Sequence, residues 1–259
     1  MSKIRVALLH LEPRLGEVEH NRRLIEGAIR QAAAGGANWI VTPELCLSGY
    51  FFTDEIGTDW ISPQPDAWMK RLLKLAGDKG LTIFLHSPER DAASGRLYNS
   101  FFVLGPDGKI AGRHRKLGVS PKMTAESWAS PGSACTPIHL DGVRVGLLTC
   151  ADTWKPGPAA ALKAAGADLI ISPAAWPPEP CGPEGCWEKR TAETGIPIWV
   201  CNRTGRERTL DFTRADSVIA GGGRRLLEIA LARAAILFFD WDMGDMAPIS
   251  IEFKVEPLE

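Results

Sequence analysis

Short apolar, β-branched runs alternate with helically spaced ones along most of the chain, and this alternation restricts the fold more than any other feature. Ile4–Leu11 opens as a strand, and Glu17–Ala34 follows with Leu24, Ile25, Ala28, Ile29 and Ala32 at helical spacing before Gly35-Gly36 ends it. Asn38–Thr42 is a short strand broken by Pro43. Pro65–Gly80 is a helix carrying Trp68, Leu72, Leu73 and Leu75, and Leu81–His86 is the next strand. Leu97–Leu104 and Lys109–Arg115 read as two strands joined by the turn Gly105-Pro106-Asp107-Gly108. Strands Val143–Thr149, Ala167–Ser172 and Pro197–Cys201 follow, separated by helices Pro158–Ala165 and Pro183–Thr194. Strands near Ser217–Ala220, Leu226–Ala230 and Ala235–Asp240 close the pattern, with Gly221-Gly222-Gly223 as a turn. Strand–helix alternation with added hairpins predicts an α/β protein of mixed sheets, its helices on the outer faces. No repeat of fixed period and no linker-like stretch divides the chain, so one domain over residues 1–259 is expected. The Pro-rich loop Pro173–Pro183 is long for a compact domain, and such loops often carry function.

Charge and composition then exclude several classes. Lysine plus arginine is 30 against 31 acidic residues, a formal net charge of -1, which removes the electrostatic case for a nucleic-acid partner. The basic cluster Arg113–Lys116 is short and has no interleaved aromatics. No apolar run approaches bilayer length, and charges interrupt the N-terminal strand pattern where a signal peptide needs an unbroken apolar stretch. A cytoplasmic protein without membrane contact is expected. Six cysteines in a reducing compartment are expected to be free thiols. The tight pair Cys181 and Cys186 lacks the second pair or spaced histidines of a zinc site, so no metal is expected.

Three positions carry chemistry. Cys150 ends a strand just before a helix region, where a thiol can be held as a nucleophile. Glu44 follows Pro43 among Trp39, Ile40, Val41, Leu45 and Leu47, an apolar setting that raises a carboxyl's pKa toward that of a useful base. No histidine is singled out by its position as the alternative base. Lys116 ends Arg113-His114-Arg115-Lys116, where alternation puts Gly112, His114 and Lys116 on one face and the arginines on the other. All three lie at or just past the carboxyl end of a predicted strand, where open α/β sheets bind ligands.

These stretches resemble the motifs of the nitrilase superfamily, the carbon–nitrogen hydrolases. Thr42-Pro43-Glu44-Leu45 with Ser48-Gly49-Tyr50 is similar to its glutamate motif, Arg113–Lys116 to its lysine motif, and Gly146-Leu147-Leu148-Thr149-Cys150-Ala151-Asp152 to its cysteine motif. Tyr98-Asn99-Ser100, Ser172–Trp176 and Asn202-Arg203-Thr204-Gly205 match supporting stretches. The resemblance implies a four-layer α-β-β-α sandwich of two mixed sheets, no cofactor, and a homodimer or larger homo-oligomer. It implies Glu44 as general base, Lys116 as oxyanion stabiliser, Cys150 as nucleophile, the Ala151 backbone N–H as an oxyanion donor and Glu126 as a second glutamate. The expected activity is hydrolysis of a small amide or nitrile partner through a thioester.

Cys150-Ala151-Asp152-Thr153-Trp154 differs from the Cys-Trp-Glu of true nitrilases and resembles the amidase-like branches. A nitrile or N-carbamoyl hydrolase, an acyl transferase to an amine, and a non-catalytic scaffold of the same fold are the alternatives. Tyr50, Phe51, Trp154 and Trp176 are candidates to line the pocket, and Arg203 or Arg206 to hold a substrate carboxylate.

Overall fold

The computed structural model describes residues 3–118, 126–179 and 182–258. Strand β1 (Lys3–His10) sends Val6 and Leu8 to one face and Ala7 and Leu9 to the other, and both faces are buried. Such a strand needs cover on two sides. On one side lie helix α1 (Val18–Ala34), which presents Ile25, Ala28, Ile29 and Ala32, and, after β2 (Trp39–Val41) and the short α2 (Phe52–Ile56), helix α3 (Ala67–Lys79) with Trp68, Met69, Leu72 and Ala76. Asp66 caps α3 by accepting the Met69 N–H at 2.8 Å, and Gly80 closes it at φ 63°, a left-handed position that glycine adopts without strain.

The chain continues through β3 (Thr82–Arg90), β4 (Leu97–Leu104), β5 (Ile110–Arg115), β6 (Ile138–Leu140) and β7 (Val143–Leu147). Helix α4 (Pro156–Ala164), β8 (Leu169–Ala174), α5 (Cys186–Thr194) and β9 (Ile198–Asn202) follow. The small hairpin β10 (Arg206–Glu207) and β11 (Leu210–Asp211) precedes β12 (Asp216–Gly221), β13 (Arg224–Ala230), β14 (Ala235–Asp242), β15 (Ala247–Pro248) and β16 (Lys254–Pro257).

Two sheets result. The first runs β15-β14-β1-β2-β3-β4-β5, with β16 also on β14; the second runs β13-β12-β9-β8-β7-β6. Each has a parallel centre, β1-β2-β3 in one and β7-β8-β9 in the other, flanked by antiparallel strands. The sheets face each other across Val6, Leu8, Trp39, Phe84, Val145, Leu147, Trp199 and Trp241. The outer face of the second sheet is covered by α4 and α5 through Leu162, Cys186 and Trp187. The molecule is therefore the expected α-β-β-α sandwich of two mixed sheets.

The predicted elements recur with shifted ends. β3 runs past His86 to Arg90 because β4 pairs it from Ile83 to Arg90, while β2 stops opposite Phe84; Pro88 thus lies where only one side is paired. α2, β6, the β10–β11 hairpin, β15 and β16 carry no periodic signal long enough to read from sequence. No helix among the described residues is long and apolar enough to cross a membrane. Cys181 lies outside the described residues; its neighbour Cys186 is buried against Thr153.

Candidate active site

The parallel centres of both sheets end at the same place. Glu44 leaves the carboxyl end of β2, and its N–H donates to the carbonyl of Ala174 at the end of β8, 3.3 Å away. Cys150 follows β7 and opens a 3-10 turn, Cys150–Thr153. Lys116 follows β5, tied back by its N–H to the Asn99 carbonyl at 2.8 Å. Leu45 and Cys150 have φ of 50° and 47°, left-handed conformations that cost a side-chain-bearing residue energy and here turn the chain sharply at each strand end.

These turns bring the groups together in a closed interior. Lys116 Nζ donates to Glu44 Oε1 at 2.8 Å and also to Glu126 Oε1. Glu44, Lys116 and Glu126 are buried. Glu44 Oε1 also accepts from Asn99 Nδ2 at 3.0 Å, and Oε2 accepts the Ala175 N–H at 3.2 Å. The Glu44 carboxylate and the Cys150 thiol lie within each other's fields.

Electrostatics separates the two carboxyls. Burial pushes Glu44 up, but the Lys116 ammonium outweighs it and holds the carboxyl below its ordinary value. At Glu126, burial dominates the pull of the same ammonium, and the neighbouring Glu44 charge adds to it, so this carboxyl rises. Burial lowers Lys116, yet its two carboxyl neighbours reverse the effect and keep it a cation. Burial and the Glu44 charge push the Cys150 thiol well above its usual value. The site thus holds a carboxylate base against a thiol pushed toward its protonated form, with a fixed cation and a second carboxyl shifted the opposite way from the first, a pairing of environments that suits acid–base chemistry.

A further carboxylate braces this geometry. Asp152 Oδ1 accepts the N–H groups of Leu117 at 2.9 Å and Gly118 at 2.7 Å, and Oδ2 accepts the Thr149 N–H at 3.0 Å and pairs with His114 Nε2 at 2.8 Å. It clamps the chain just after Lys116 to the turn that carries Cys150. Thr149 and Asp152 also form a capping box, and the spacing Thr-x-x-Asp was the available sequence signal for it. Burial acts to raise the Asp152 carboxyl, but the His114 bond and the charges of His114 and Lys116 bring it below its ordinary value. We expect Asp152→Ala to cost about 3 kcal/mol, because several buried donors lose their acceptor. A depressed folded-state pKa stabilises above the unfolded aspartate value, about 3.9, and that contribution fades as pH falls through the folded value. Urea unfolding of both proteins should therefore show a gap that narrows below about pH 4; a gap independent of pH would place the Asp152 charge outside the clamp.

The basic cluster divides as alternation requires. His114 and Lys116 face the interior; Arg113 and Arg115 pair with the buried Glu89 on β3, Arg115 at 2.7 Å. Tyr50 is buried, and its phenol lies within the fields of Glu126, Lys116, Glu44 and Cys150. Trp176 is buried, its backbone N–H donating to Asn202 Oδ1 at 3.1 Å. Trp154 is 45% exposed and stacks on Trp176 with ring centroids 5.5 Å apart, so it is not a core residue. Phe51 packs at the edge of the Tyr50 ring.

The arginine candidates are placed differently from the expectation. Arg203 is fully buried, bonded to Glu207 Oε2 and to the Pro13 carbonyl, and lies over the Phe212 ring. Glu207 Oε1 in turn accepts the N–H groups of Tyr50 at 2.6 Å and Phe51 at 2.7 Å. Arg203 therefore anchors the turn that carries Tyr50, and its charge is already matched. Arg206 is exposed and pairs with Asp211. Sequence patterning separates neither case, because the partner Glu207 reads as an ordinary loop glutamate.

Comparison with known proteins agrees with this arrangement. A family description, carbon-nitrogen hydrolase, matches residues 5–244. This chain belongs to the carbon–nitrogen hydrolase family. Among relatives of this carbon–nitrogen hydrolase, a nitrilase of Pyrococcus abyssi is 30% identical over 230 residues, 88% of this chain and 85% of that protein. A glutamine-dependent NAD(+) synthetase of Rhodobacter capsulatus is 26% identical over 93% of this chain, which spans only 44% of that protein's length. A solved double mutant of the amidase from Nesterenkonia sp. AN1, in complex with acrylamide, superposes with a TM-score of 0.80 at 25% identity, over 95% of this chain and 93% of that one. The chain is thus an enzyme of the carbon–nitrogen hydrolase class, with amidase and nitrilase relatives.

Proposed function

We propose that this carbon–nitrogen hydrolase cleaves the amide of a small carboxylic acid, releasing ammonia and the acid through a thioester on Cys150. The observation that carries this reading is the buried Glu44 carboxylate, bonded to the Lys116 ammonium and acting on the Cys150 thiol through its charge. The thiol is not ionised at rest, so Glu44 removes its proton as the sulfur attacks the amide carbon. The carbonyl oxygen becomes an oxyanion, stabilised by Lys116 and the Ala151 N–H. Protonated Glu44 returns its proton to the nitrogen, the C–N bond breaks, and ammonia leaves. Water, deprotonated by the same carboxylate, then attacks the thioester; the C–S bond breaks and the thiol recovers its proton. Glu126, beside Lys116, hydrogen-bonds the substrate polar group. Tyr50, Trp154 and Trp176 form the walls around the acyl group.

The acrylamide held by the Nesterenkonia amidase supports an amide substrate, and the Cys-Ala-Asp stretch supports it over a nitrile. The test is ammonia release from simple amides, dicarboxylic acid monoamides, N-carbamoyl amino acids and nitriles, with intact-mass analysis of Cys150. Release is expected from amides first, with an acyl mass on the cysteine. Release from nitriles or carbamoyl compounds alone would overturn the amide assignment, and neither release nor adduct from any compound would overturn the hydrolytic one. Faster hydroxamate formation than hydrolysis, with hydroxylamine as competitor, would make the enzyme a transferase.

A further inference from the structure

The Glu44 carboxylate is held by one group whose own orientation needs explaining. Asn99, on β4, donates from Nδ2 to Glu44 Oε1 at 3.0 Å. A carboxylate oxygen only accepts, so this contact fixes which end of the amide is which and leaves Asn99 Oδ1 pointing away from Glu44. On the neighbouring strand β3, the ring of His86 accepts the backbone N–H of Leu45 at Nδ1, 2.9 Å away. A backbone N–H only donates, so Nδ1 carries no proton and a neutral ring must carry it on Nε2. Among the described residues, His86 Nε2 and Asn99 Oδ1 are both buried and neither makes a hydrogen bond. One is a donor and the other an acceptor. The sheet register brings them together: His86 lies opposite Phe101 and Pro88 opposite Asn99, so His86 and Asn99 are diagonal neighbours on one face. Asn99 is also one of the groups that act on the imidazole.

We infer that His86 is a positioning residue for the catalytic base: its Nε2–H orients the Asn99 amide, which in turn holds Glu44 Oε1, so that Oε2 is the oxygen left to take the Cys150 proton. The relay begins and ends on the same turn, since Leu45 is the residue after Glu44. His86 thereby reads the backbone of the glutamate turn and holds its side chain. The inference rests on the proposed role of Glu44 as base. It needs an imidazole that stays neutral, and burial outweighs the opposing effects of Glu44 and Asn99 and lowers His86 to about 4. The charged and titratable groups facing His86 are Glu44, Lys116 and His114; those facing Glu44 are Lys116, His86, Cys150 and Glu126.

The first test needs no turnover. Two-bond ¹H–¹⁵N spectra of the wild type, with His86 assigned by its loss in His86→Asn, should show a neutral Nε2–H ring that does not titrate between about pH 5 and 8. An Nδ1–H ring, or titration near the ordinary histidine value, overturns the relay. The second test is kinetic. Asparagine can keep an acceptor for Leu45 but cannot reach Asn99, so His86→Asn should lower kcat roughly tenfold with little change in KM. A carboxylate that loses an oriented donor ionises less readily, so the acid limb of kcat/KM should move to higher pH. Asn99→Leu should do the same, and His86→Asn in that background should add nothing further. Additive losses, or an unmoved acid limb, overturn the inference. Failure of the base assignment has a different signature: Glu44→Gln with normal turnover, whatever the spectra show.

Discussion

Cys150→Ala is expected to give a folded protein that releases no ammonia above background, a loss on the order of 10⁴–10⁶-fold. The magnitude follows from the site having one nucleophile in place. Glu44 cannot substitute for it, because its carboxylate is held in place by Asn99, Lys116 and the Ala175 N–H and its charge is balanced by Lys116. The remaining groups can still bind an amide and polarise it, but no bond to carbon forms. The fold should survive, since the change removes a single sulfur from a turn braced by Asp152 and by the Thr153 hydroxyl, which donates to the Cys150 carbonyl at 2.8 Å. The left-handed backbone at this position gives a control. Glycine tolerates a φ of 47° and alanine does not, so Cys150→Gly should be about 0.5–1 kcal/mol more stable than Cys150→Ala and equally inactive. Ammonia release by the pure alanine variant would remove Cys150 as the nucleophile. Equal stability of the two variants would remove the strain at the turn.

The parts of this molecule legible in sequence are those with a local period or a local motif. The central strands are visible as short continuous apolar runs buried on both faces, and α1 and α3 because their apolar residues recur about every three to four positions. Glu44, Lys116 and Cys150 are visible because each follows a strand end within a recognisable stretch. What is hidden depends on pairing across long separations. His86 ends a predicted strand and looks like any buried histidine; its meaning comes from Leu45, 41 residues away, and from a register with β4 that alternation does not set. Asp152 lies in the quoted cysteine stretch, but its hold on Leu117 and Gly118 is a tertiary contact. Arg203 looks like a surface charge until Glu207 folds back beneath the Tyr50 turn. Electrostatic partners of this kind carry no periodic signature, because a charged side chain meets its match wherever the backbone happens to return.

Lys116→Met should have the other large effect, on both rate and stability. Methionine keeps the apolar stem and removes the ammonium. Loss of one oxyanion donor alone lowers turnover by a factor on the order of 10²–10³. Here the same cation also holds Glu44 ionised, so its removal takes away the base at neutral pH, and the acid limb of kcat/KM should move upward as well. Stability should fall by about 3–5 kcal/mol near neutral pH, because two buried carboxyls face each other without their shared counter-ion. The sign of the pH dependence follows from the shifts. In the wild type, Glu44 is depressed, so its contribution is present above the ordinary glutamate value and lost only as pH falls through its lower folded value. In the variant both carboxyls are raised by burial, and they regain stability by taking protons as pH falls toward the ordinary range. The difference in urea midpoint between the two proteins should therefore be widest near pH 8 and shrink toward pH 5. A constant difference would mean that the carboxyls do not depend on Lys116 for their charge, and near-normal turnover would remove Lys116 from the chemistry.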